Sequence, residues 1–232
     1  MSITSSWGIQ PEQIAEASWI HDHVPGWLAK DQALDLLRVS LADFSEEAVL
    51  AKAAAVDRLY NTKNRHLVES ARKISETFPT VTAASPGDPV ALVEAIAPVP
   101  VNGKTYWHWS FASKFTHFFV HPDRVPVYDN WAVKACEHYL GGLQRNTGHK
   151  YDWYRHYAEQ ILLIQKDLGC SVRALDRFLY LCGHYWASDP PRLTNITEAL
   201  GWSAEDLARE PDLMQHLKRM LGLEGPVQET DA

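Results

Sequence analysis

Residues 106–131, YWHWSFASKFTHFFVHPDRVPVYDNW, place one lysine and one carboxylate where they can act together. Taken as a helix, Tyr106 to Val120 separates two characters. Trp107, Phe111, Phe115 and Phe118 recur at helical spacing as an apolar stripe, and Ser110, Lys114, His117 and His121 share another face. Pro122 stops that helix, because proline has no N–H to give and disfavours a helical residue before it. Pro126 keeps the next segment extended, and Asp129 stands directly before a second apolar-periodic run at Trp131. A lysine amine is a nucleophile only when neutral. With an ordinary pKa near ~10.4 it is almost wholly protonated at neutral pH, so desolvation or a nearby positive charge must lower it. The wall of Trp107, Phe111 and Phe115 offers the first, and a protonated His117 the second. Asp129 would stabilise a developing positive charge. It is equally suited to capping the helix at Asn130, which alone would account for it.

Other constellations are weaker. His117 and His121, four apart with His108 nearby, present imidazoles, but no glutamate stands between them in HExxH form, and no metal is expected. GxGxxG, P-loop and GxSxG motifs are absent, which disfavours dinucleotide binding, P-loop nucleotide hydrolysis and α/β-hydrolase chemistry; no cofactor is expected. Tyr106, Trp109, Tyr128 and Trp131 flank the lysine and aspartate and are candidates to stack on a planar ligand. Trp153, Trp186 and Trp202 fall in helical stripes and are assigned to the core. Basic and amide groups concentrate in two places, Asn61 to Arg65 (NTKNR) and Arg145, His149, Lys150 and Arg155.

The elements that must position these residues are helical. Helices are expected over 11–24, 31–42, 45–60, 66–78, 90–97, 130–139, 153–168, 171–186, 194–200 and 204–221, from caps, prolines and apolar period. Pro98 to Lys104 reads as a turn or brief hairpin with Asn102-Gly103 at its tip. Strand signals are otherwise nearly absent. The expectation is an all-α protein, 1–232 as a single helical domain, with 45–142 and 150–222 packed around a cleft. Residues 79–89 mark the clearest internal boundary, and 1–8 and 224–232 read as flexible ends.

With 232 residues, 46% of them hydrophobic, the chain can bury an ordinary core. A net charge of −7 argues against a surface basic all round, so any nucleic-acid contact needs a local positive patch. Three cysteines, Cys136, Cys170 and Cys182, form no CxxC and read as reduced thiols. No run approaches a membrane span and no signal character opens the chain, so a cytoplasmic protein is expected.

The arrangement S-x-x-S-K-x-x-x-x-F…V-P-V-Y-D-N-W resembles the core of the helix-hairpin-helix DNA glycosylase superfamily, especially its 8-oxoguanine glycosylase-like branch. The resemblance covers roughly 45–200, and LYNTKN is similar to a segment with which that family enters DNA. The glycine-rich hairpin of typical members is missing; HWSFAS stands in its place. The resemblance implies catalysis by Lys114 and Asp129, with Trp109, Ser110, His117, Tyr128, Trp131, Asn61 and Asn64 contacting substrate. It implies a DNA partner, which the negative charge weakens. The reaction would extrude a damaged or modified base and excise it, with lyase activity through a lysine Schiff base. A non-catalytic relative, binding nucleic acid or protein with the same fold, is the alternative.

Overall fold

The computed structural model describes residues 7–85, 87–141 and 153–223. Among them the fold is mostly helical with one small two-stranded sheet. The elements are α1 (Pro11–His23), α2 (Pro25–Ser40), α3 (Glu46–Tyr60), α4 (Leu67–Ala84), α5 (Pro89–Ile96), β1 (Pro98–Val101), β2 (Lys104–Trp107), α6 (Trp109–Phe119), α7 (Asn130–Tyr139), α8 (Trp153–Leu168), α9 (Val172–Tyr185), α10 (Leu193–Ala199), α11 (Ala204–Arg209) and α12 (Pro211–Met220). None is long and apolar enough to cross a membrane. The expected frayed end 224–232, most of the 1–8 arm, and Arg145, His149 and Lys150 lie outside the described residues.

Several boundaries follow local chemistry closely. Ser45 caps α3 by accepting from the Ala48 N–H, and Ser171 caps α9 by accepting from Ala174. The tip of the hairpin, Asn102 at φ 50° and Gly103 at φ 75°, is left-handed at both positions, which a two-residue turn matched to strand twist requires. Other boundaries moved. Pro25 opens α2 six residues before the expected start, so Gly26 lies inside a helix and caps nothing. The expected boundary at 79–89 is half helix, because α4 continues through Pro79 to Ala84. Phe78 stacks on Phe44 at 3.7 Å, so packing holds the turn that carries the proline. The single helix expected over 204–221 is broken before Pro211, which begins α12. Tyr106 and Trp107 are not helical at all; they belong to β2, and α6 begins at Trp109.

The chain divides into two compact units. They do not follow the expected halves; each gathers segments from distant parts of the sequence. The first comprises Met1–Leu28, Asn130–Leu143 and Gln165–Ala232. In it α1 packs on α9 and α12, and α7 and α10 pack on α9. Glu16 on α1 receives Arg219 Nε at 2.8 Å and pairs with His216, tying α1 to α12. Trp19 is stacked between His23 and His216, with centroids 3.8 and 3.4 Å away.

The second unit comprises Ala29–Asp129 and Gln144–Ile164. Its centre is α6, in which every residue from Phe111 to Phe119 is buried. A helix buried on all sides is a core element, not an amphipathic surface one. Around it α3 and α5 pack directly, and α4 packs on both of those. Phe111, Phe115 and Phe119 form a ring ladder down α6, and Phe44 meets Phe115 edge-on. Lys52 is buried beneath that cluster. Its amine donates to the Asp43 carbonyl at 2.7 Å and lies 4.2 Å over the Phe44 ring. Burial pushes its pKa below the ordinary lysine value, against the pull of Asp43.

The start of α5 is tied to α8 by charge. Asp88 caps α5 through the Val90 and Ala91 N–H groups and takes Arg155 Nη1 at 2.9 Å, while Glu94 holds the rest of the guanidinium. Arg155, one of the basic residues noted in the sequence, is therefore engaged by two carboxylates. Burial would raise the Asp88 carboxyl, but hydrogen bonds from Arg155 and the two N–H groups prevail and hold it below its ordinary value. A carboxyl depressed on folding stabilises above its unfolded pKa and loses that contribution as pH falls through the folded one. Asparagine caps about as well as aspartate, so Asp88→Asn removes the charge and keeps the cap. In urea melts its deficit against wild type is expected in full above about pH 5 and should shrink as the pH falls below the ordinary carboxylate range. A deficit constant with pH would mean the charge contributes nothing.

Candidate active site

Ser110, Lys114, His117, Tyr128 and Asp129 come together on one strip of the second unit, where α6 faces the extended segment 125–129. That segment has proline at position 126 and no strand partner, so its carbonyl and N–H groups must be bonded by side chains. Each of four successive residues is. The Val125 carbonyl accepts from His117 Nδ1 at 2.7 Å, and the Pro126 carbonyl from the Tyr154 hydroxyl at 2.9 Å. The Val127 carbonyl accepts from the Tyr157 hydroxyl at 2.7 Å, and the Tyr128 N–H donates to Ser113 Oγ at 3.0 Å. The Tyr128 hydroxyl in turn accepts from Trp153 Nε1 at 2.9 Å. Side chains of α6 and α8 thus fix this backbone residue by residue, and its last residue is Asp129.

Fixed in this way, Asp129 Oδ2 sits 3.3 Å from Lys114 Nζ. The amine also donates to Ser110 Oγ, one helical turn back, at 3.0 Å. Lys114 is only 5% exposed, while the Asp129 side chain keeps 14% of its surface in solvent. The face formed by Ser110, Lys114 and His117 is therefore real, but it is not the solvated surface its polarity implies. Buried polar groups demand partners, and here the 125–129 segment supplies them. His117 serves the backbone: its Nδ1 carries the proton toward a carbonyl, which fixes the tautomer and makes it a support of the Asp129 segment. His121 lies beyond α6, in the turn after Val120.

The flanking aromatic residues divide. Trp109, half-buried, stacks on Tyr154 at 5.9 Å and on Trp107 at 5.3 Å. Tyr128 meets Tyr154 and Tyr157 edge-on. Trp131 belongs to the first unit, where its ring stacks on His184 at 4.0 Å. Of the three tryptophans assigned to the core, Trp153, Trp186 and Trp202, none is fully buried; Tyr154 and Tyr157 take that role.

The amide residues of the NTKNR turn also divide. Asn61 ends α3 in the left-handed conformation and is exposed. Asn64 is 4% exposed, and both ends of its amide are bonded, to the Ser70 hydroxyl at 2.8 Å and the His66 N–H at 2.9 Å. Asn64 shapes the turn and is not open to a substrate. Among the described residues, no group of three or more His, Cys, Asp or Glu is placed to hold a metal.

Sequence reasoning missed Ser113, Tyr154 and Tyr157, which fix the position of Asp129. The signal was indirect. A V-P-V segment outside any strand leaves carbonyls that need donors, and hydroxyl-bearing residues are the natural source.

Comparison with known proteins adds one match. The family described as "HI_0787_N: N-terminal domain" matches residues 14–124, a stretch that contains Lys114 and ends before Asp129. No curated protein matches the chain. No solved structure matches it.

Proposed function

We propose that this protein is a DNA glycosylase-like enzyme of the helix-hairpin-helix type, excising a damaged or modified base through Lys114 and Asp129. The observation that carries the reading is the 3.3 Å approach of Lys114 Nζ to Asp129 Oδ2. A nucleophilic lysine must give up a proton before it attacks; that proton passes to the base, which makes it a better leaving group and leaves Asp129 ionised. The neutral amine then bonds to the sugar C1′ as the glycosidic bond breaks and the base leaves with the electron pair. The ring opens with a proton passing to its oxygen, leaving a protonated imine on Lys114. Before that, the carboxylate stabilises positive charge growing on the sugar, the role of a fixed charge in a water-poor site. Trp109 supplies a stacking face for the extruded base, and Ser110 holds the amine in place.

The second reading, a relative that keeps the fold and not the reaction, draws on the near-complete burial of Lys114. One experiment separates them. Borohydride added to protein incubated with abasic, 8-oxoguanine and other lesion duplexes reduces any imine to a stable crosslink. A crosslinked species on a denaturing gel is expected for the enzyme. No crosslink across the panel would leave the non-catalytic reading.

A further inference from the structure

Two helix starts meet in the second unit with an imidazole at each. His66 is the N-cap residue of α4 and His108 that of α6, and neither side chain caps its helix. Their rings lie 5.7 Å apart at their centroids, and the Tyr106 ring lies 4.4 Å from that of His66. A helix start carries the positive end of the helix dipole, so added positive charge is unfavourable there. His108 is constrained further. Its Nε2 is buried and has no hydrogen-bond partner among the described residues. An imidazolium carries a proton on both nitrogens, so charging this ring leaves a buried N–H without an acceptor. Burial, and then the neighbouring His66, hold its pKa below the ordinary histidine value, against the pull of Asp57 on α3. Asp57 itself is engaged by the Thr62 hydroxyl and the Asn64 N–H, and Glu94 of α5 by Arg155. Glu69 lies in the first turn of α4, and Lys104 shares the Tyr106 side of β2.

From this arrangement we propose that His66 and His108 form an acid-sensitive latch, which holds the β1–β2 hairpin and the first turn of α6 to the start of α4 while His108 is neutral and releases them when it is charged. The backbone supplies the coupling. β1 packs on α4, and His108 joins β2 to α6. Its N–H donates to the Ala97 carbonyl at 2.9 Å, and its carbonyl accepts from the Ala112 N–H at 2.8 Å. Once charged, the ring gains by leaving His66 and reaching water, and its departure draws on the strand end and the helix start that it connects. A histidine of depressed pKa stays neutral in the closed form while the open form takes up a proton. Closure therefore weakens as pH falls below the ordinary histidine value. Ser110, which accepts from the Lys114 amine at 3.0 Å, lies in the turn that is released, so the latch bears on the candidate active site. It requires nothing of the reaction proposed there.

The test is hydrogen exchange of the full chain, read by mass spectrometry at about pH 7.5 and about pH 5.5 and corrected for the intrinsic pH dependence of exchange. Protection over 98–112 is expected to fall several-fold at the lower pH, with about tenfold as the limit for a histidine kept neutral at a pH about one unit below its ordinary value. His108→Gln keeps a polar side chain that cannot be charged, and its protection should be the same at both pH values. His66→Gln removes the neighbouring imidazole and should show a smaller loss than wild type. Melting curves at the higher pH establish that each variant is folded. Equal wild-type protection at the two pH values overturns the proposal, as does a loss that persists in folded His108→Gln. Should that variant not fold, a loss undiminished in His66→Gln overturns it instead. So does a loss spread evenly over every helix, which is acid unfolding and not a latch.

Discussion

Gly183→Ala is expected to destabilise the first unit by about 3 kcal/mol or more, the upper end of what overpacking costs. Gly183 lies in α9, where α7 crosses it, and a β-carbon there would fall 2.0 Å from the Trp131 carbonyl oxygen and 2.4 Å from its carbon. Both are backbone atoms, so no side chain can swing aside; the helices would have to part. Alanine's better helix propensity, about 1 kcal/mol, acts in the opposite direction and is the smaller effect. Gly26 in α2 supplies the control. Nothing lies within 4 Å of a β-carbon built there, so Gly26→Ala should stabilise by roughly 0.5–1 kcal/mol. Thermal or urea melts of the two variants should therefore move in opposite directions. Equal shifts would mean that α7 and α9 do not approach as closely as described.

The closeness at Gly183 also accounts for where the Trp131 ring lies, which the sequence does not show. Its type and its position two residues past Asp129 suggested a ring over a substrate. What decides its place is a glycine more than fifty positions away, which lets the Trp131 backbone settle onto α9 and its ring onto His184. Local pattern carries no such information. By contrast, the pairing of Lys114 with Asp129 was legible, because a helical period, two prolines and a short span leave the chain little freedom between them. The surroundings of the pair were not. Period alone places Ser110, Lys114 and His117 on one face, but whether water or protein covers that face depends on Tyr154 and Tyr157, far along the chain. Trp107 shows the limit of a period match, since its four-residue spacing from Phe111 fits a helix, while the Asn102-Gly103 turn draws it into a strand instead. The turn signal was visible, and the extent of the hairpin it closes was not.

Lys114 carries the largest expected effect on chemistry, and its burial changes how it must be tested. Removing one partner of a buried ion pair leaves the other charge uncompensated, which typically costs 3–5 kcal/mol. Because Asp129 keeps some contact with solvent, Lys114→Met is expected to lose about 2–3 kcal/mol. A missing crosslink in that variant would be ambiguous, since an unfolded protein also traps nothing. Lys114→Arg removes the ambiguity. Arginine keeps the positive charge opposite Asp129, so the melting midpoint should stay near wild type. Its guanidinium cannot lose a proton at accessible pH and cannot form the imine. The expected result is a folded protein whose borohydride crosslink falls to background. Asp129→Asn should still crosslink, but more slowly by on the order of 10²-fold, because the fixed charge facing the developing cation is gone. Combining Lys114→Met with Asp129→Asn should recover part of the lost stability, since neither charge is then left facing a neutral partner. If wild type crosslinks and Lys114→Arg crosslinks equally well, another amine carries the reaction and the 3.3 Å pair only holds α6 to the segment beside it.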